Sequence, residues 1–108
     1  WTPAHNHFGW KSLLGVEPGG DGAHQTAAPA RAEDLSGLPP AFISIGALDL
    51  FLDESLEYTR RLSRAGVPVE LHVIPGSYHG SGLVADAPQS KLVVQLRMQA
   101  LARALGVG

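Results

Sequence analysis

Asp49 and His79 have the residue types and the setting for chemistry. Asp49 follows the apolar run AFISIGA (residues 41–47), and His79 follows VELHVI (residues 69–74). In open α/β sheets, functional side chains gather beyond the carboxyl ends of the strands. If the two strands are neighbours, their C-terminal loops are neighbours too, and an Asp-His hydrogen bond is feasible. The aspartate would orient the imidazole and stabilise it once protonated, while the histidine serves as general base and then general acid. Alone, Asp49 equally suits a turn or a helix cap, and His79 an exposed loop. As a pair on consecutive strand ends, they favour catalysis.

The elements that must position this pair are legible. Residues 41–47 carry the β-branched Ile43 and Ile45 and suit a buried strand covered on both faces, with Gly46 allowing a turn or a close approach. A helix is expected over about 53–65. Asp53 is its N-cap, Glu54 and Glu57 sit in the first turns, and Arg60, Arg61 and Arg64 lie towards its C-terminal end. Leu52, Leu56, Thr59 and Leu62 form its apolar stripe, and Gly66 stops it. Val69, Leu71 and Val73 alternate through a second strand over about 69–74, with one face apolar. Strand, helix and strand imply a right-handed parallel β-α-β unit. A last helix, about 89–105, presents Leu92, Val93, Leu96, Ala100 and Leu101 on one broad face and ends at Gly106. The fold class is α/β.

Ahead of this unit, residues 5–14 suit a short helix whose Phe8, Trp10 and Leu14 reach for a core. The Gly-, Pro- and Ala-rich stretch 17–30 is a long loop, and its glycines do not follow a strand as a phosphate cradle would require. Asp34 or Ser36 caps a turn, and Pro39-Pro40 imposes an extended entry to the first strand. The chain opens on Trp1 with no initiator Met, as the interior of something longer or a processed product would.

Composition narrows the function classes. A net charge of −2 over 108 residues offers no basic field for nucleic acid. No apolar run has transmembrane length. Cysteine is absent, which excludes disulfides, thiolate metal sites and a cysteine nucleophile; it fits a cytoplasmic location. His5, His7, His24 and His72 have irregular spacing and no companion carboxylate cluster, so no metal or other cofactor is expected.

The stretch LPPAFISIGALDLFLDESLEYTRRLSRAGVPVELHVIPGSYHG (residues 38–80) resembles the C-terminal part of an α/β-hydrolase of the hormone-sensitive-lipase-like esterase family. The resemblance implies that Asp49 in GALDLFLDE is the acid of a Ser-Asp-His triad and His79 in PGSYHG its histidine. Upstream, Phe8-Gly9-Trp10, Leu13-Leu14-Gly15 and AAPARAEDLSGLPP are similar to the region preceding the acid strand. By this likeness the chain is a single partial hydrolase domain: residues 1–40 lead in, 41–80 carry acid and histidine, and 81–108 form a loop and the last helix. Two positions depart from the pattern. Leu52 replaces a common Arg, which removes an ion pair. Ser81 replaces the Phe that often follows His-Gly, which is expected to loosen packing beside the histidine.

The larger departure is the nucleophile. The family places its serine in a G-x-S-x-G elbow upstream of the acid, with oxyanion donors further upstream. No serine in this chain has glycine at both positions two residues away. Ser77 and Ser81 share the loop of His79 and lack the strand-to-helix turn that presents a nucleophile. The leading expectation is therefore the C-terminal portion of a serine carboxylic-ester hydrolase, acting on small esters in the intact enzyme and inactive alone. The alternative is a non-catalytic interaction module. Unpaired strand edges predict association, with the missing N-terminal part or with a second copy as a homo-oligomer.

Overall fold

The computed structural model describes residues 1–108. Five regular elements form it: α1 (Pro3–Leu14), β1 (Ala41–Gly46), α2 (Leu52–Arg64), β2 (Val69–Ile74) and α3 (Pro88–Leu105). Short 3₁₀ turns at Pro29–Arg31 and Ser81–Leu83 interrupt the connecting loops. The two strands pair in parallel, from Ala41 opposite Val69 to Gly46 opposite Ile74. Both therefore end at the same level, which brings the turns after them side by side.

The core lies between the sheet and α2. Leu35, Leu62 and Val67 are buried together, with Ala41, Ile43, Val69 and Tyr58 packed around them. Alternation explains this: odd-numbered residues of both strands point to the α2 side. Leu35 and Val67 come from connectors rather than from regular elements, so periodicity did not mark them. The connector before β1 is held by Arg61 of α2, whose guanidinium donates to the carbonyls of Ala30 (2.6 Å) and Ala32. Asp34 does cap a turn, accepting from the backbone N–H (2.9 Å) and the hydroxyl (2.6 Å) of Ser36.

Several expectations are corrected. β1 is half-buried rather than covered on both faces, because its outer edge has no strand partner. Val73 of β2 is exposed despite its place in the apolar alternation. Asp53 does not cap α2: Phe51 stands at the N-cap without a side-chain bond, and Asp53 joins Glu54 in the first turn, facing the positive end of the helix dipole. The helix C-terminus follows the reading, with Gly66 at a φ of 82° just past it. α1 starts earlier than its apolar spacing suggested, because Thr2 caps it (His5 N–H to Thr2 Oγ1, 3.3 Å) and Pro3 fits the first turn. None of its residues is buried, and Phe8 is 72 % exposed instead of reaching a core.

Candidate active site

The sharp turn after β1 is built around Asp49. One carboxylate oxygen, Oδ1, accepts the backbone N–H of Phe51 (2.9 Å). The Asp49 carbonyl accepts the N–H of Leu52 (3.2 Å), so the same residue starts α2. This local bonding replaces the cap that Asp53 does not supply. The turn is also tied to the loop after β2. Ala47 N–H donates to Ile74 O (2.9 Å), and Leu48 N–H to Ser77 O (3.0 Å). Gly46 permits the approach: a Cβ there would run into the Ser77 carbonyl.

These contacts bring Asp49 and His79 together across 30 residues of chain. His79 Nδ1 lies 3.1 Å from Asp49 Oδ2. A carboxylate only accepts, so the imidazole proton sits on Nδ1 and the Nε2 lone pair is left for another group. Burial is asymmetric. The Asp49 side chain is 7 % exposed, the His79 side chain 45 %. The acid is thus fixed and shielded while the ring remains reachable. Phe51 meets the imidazole edge-on, with ring centroids 5.3 Å apart, and Trp1 lies at 6.4 Å. Sequence patterns did not mark either aromatic for this site. Phe51 follows from its place two residues after Asp49, whereas Trp1 arrives from the far end of the chain.

Next to Asp49 a cavity of about 190 Å³ runs under the His79 loop, with Gly46, Ile74, Ser77 and Arg97 among its walls. A larger groove of about 640 Å³, lined by Phe42, Val69, Leu101 and Ala104 among others, lies at the other end of the strands, away from this pair. No cluster of three or more His, Asp or Glu residues is arranged to hold a metal ion. Ser77 lies on the His79 loop, but its hydroxyl is buried and bonded to the Ser81 hydroxyl (2.5 Å). It is not presented as a nucleophile. Ser81, at the position where a Phe was expected, bonds the Ser77 hydroxyl and lines the cavity beside Asp49.

A family model for the alpha/beta hydrolase fold matches residues 1–83. The chain belongs to the α/β-hydrolase family. The proteins it matches include esterases. It is 45 % identical over 67 residues to the esterase LipI of Mycobacterium tuberculosis, covering 58 % of this chain and 21 % of that protein. It is 49 % identical over 55 residues to the carboxylesterase NlhH of the same species, covering 51 % and 17 %. Among solved structures, a bacterial heroin esterase superimposes with a TM-score of 0.77 at 45 % identity, covering 82 % of this chain and 28 % of that one. The esterase LipW from Mycobacterium marinum does so with a TM-score of 0.80 at 35 % identity, covering 89 % and 30 %. The chain therefore spans about a fifth of the curated relatives' length. The esterase likeness read from residues 38–80 holds. No helix is long and apolar enough to cross a membrane.

Proposed function

We propose that this chain supplies the acid and the histidine of a serine carboxylic-ester hydrolase, as the C-terminal portion of such an enzyme. The observation that carries the reading is the 3.1 Å bond from His79 Nδ1 to a shielded Asp49, which leaves Nε2 directed elsewhere. In the intact enzyme His79 Nε2 takes the proton of the serine hydroxyl as that oxygen bonds to the ester carbon. Asp49 stabilises the resulting imidazolium. The proton then passes from Nε2 to the departing alkoxide, which leaves as the alcohol, and the acyl group stays on serine. Water repeats the sequence and releases the acid. The serine and the oxyanion donors are not among these 108 residues, so the isolated chain lacks the group that forms the acyl bond.

The 108-residue chain should therefore hydrolyse p-nitrophenyl acetate no faster than buffer. Turnover that His79→Ala abolishes would refute that inactivity, and turnover that survives it would show that the pair is not responsible. In the full reading frame, Asp49→Asn should lower kcat by about 10⁴-fold, because an amide stabilises the wrong tautomer and no imidazolium. A loss of less than tenfold would remove Asp49 from the role.

A second reading, a self-associating module, has one observation in its favour. Only 7 of 108 residues are buried, and large apolar side chains such as Leu48, Leu83 and Met98 face solvent.

A further inference from the structure

The loop that carries His79 is closed on itself and bolted at both ends. Ser77 and Ser81 flank the histidine two residues either side, and their hydroxyls meet at 2.5 Å, bridging the loop beneath it. Ser90 of α3 donates its hydroxyl to the Ser81 carbonyl (3.1 Å), which ties the far end of the loop to a helix. The near end is tied to the acid turn, where Leu48 N–H reaches the Ser77 carbonyl. Ser77 and Ser90 are each only 7 % exposed, so these bonds are largely shielded from water, where a lost partner is costly. No buried side-chain polar atom lacks a partner.

We propose that Ser77, Ser81 and Ser90 are positioning residues for His79, forming a hydroxyl clamp that sets the loop so that Nδ1, rather than Nε2, faces Asp49. The inference rests on the acid–histidine reading above. The clamp acts on the histidine only through the loop: none of the three hydroxyls touches the imidazole. Their arrangement is specific. The Ser77–Ser81 bond spans the loop, and the Ser90 bond fixes the spanned loop against α3. Together with the Gly46 approach, they leave Asp49 and His79 little freedom to separate.

The tautomer of His79 tests this without any turnover. At a pH where the imidazole is neutral, long-range ¹H–¹⁵N correlation spectra of the 108-residue chain should show His79 protonated on Nδ1. Asp49→Asn should abolish that preference. Ser77→Ala and Ser81→Ala should each lower the Nδ1–H to Nε2–H ratio roughly five-fold, the population change expected from one lost hydrogen bond. Ser90→Ala should do so by a smaller factor. Amide shifts of β1 and α2 should stay in place, and Ser81→Thr, which keeps the hydroxyl, should restore the ratio. Ser81 is less buried than Ser77, so Ser81→Ala decides the matter alone if Ser77→Ala does not fold. A wild-type His79 already protonated on Nε2 would overturn the acid–histidine reading itself. A wild-type Nδ1–H preference that persists unchanged in Ser81→Ala would overturn the clamp and leave that reading standing.

Discussion

Asp49 divides its two oxygens between two tasks. Oδ1 shapes the turn through Phe51 N–H, and Oδ2 holds His79. Each oxygen has its own partner, so the carboxylate serves the turn and the imidazole at once. Its position depends on a residue with no side chain at all. Gly46→Ala would place a methyl group against the Ser77 carbonyl and should cost about 1–3 kcal/mol, read as a lower urea midpoint with an unchanged slope. An unchanged midpoint would mean that the two turns have room to part. Asp49 and His79 were legible in the sequence because each follows an apolar run with a clear end. Trp1 and the serine clamp were not, because their roles depend on loop geometry. The Ser81 hydroxyl likewise finds its partner only in the folded loop, where Ser77 stands opposite it.

At the scale of elements, the β-α-β unit was readable to within a residue or two, since Ile43, Leu62 and Val69 follow the periods of strand and helix. What escaped was the contribution of connectors. Leu35 and Val67 complete the core from segments without periodicity, and Asp49 displaced Asp53 by bonding the backbone where α2 begins. The second strand of the unit is also linked electrostatically to α3. Glu70 of β2 accepts from His72 Nε2 (2.8 Å) and from the Arg103 guanidinium. The hydrogen bond from His72, followed by that from Arg103, holds the Glu70 carboxyl below its ordinary value of 4.5. A carboxylate whose pKa is lowered by folding adds stability above its unfolded pKa and loses it as pH falls through the folded one. The urea midpoint should accordingly drop below about pH 4.5, and Glu70→Gln should flatten that acid limb. An identical limb in the variant would mean that the α3 link contributes nothing, as exposed ion pairs often do.

For the molecule as a whole, shape and surface point the same way. The radius of gyration is 15.6 Å, against about 13 Å for a compact chain of this length. Few side chains are buried, both strands have an unpaired edge, and apolar residues remain in water. Sedimentation at micromolar concentration should therefore show dimers or larger species, and a clean monomer would count against the association reading. The parallel register has a further consequence, in the time domain. Each residue of the first strand pairs with one 28 positions later, Ala41 with Val69 and Gly46 with Ile74. Closing a flexible segment of that length costs about 3 kcal/mol before any contact compensates it. A preformed helix in between shortens the search. The crossover helix would then gate the rate at which the chain folds, and Asp49 would meet His79 only after that slow step, however fast either turn forms on its own.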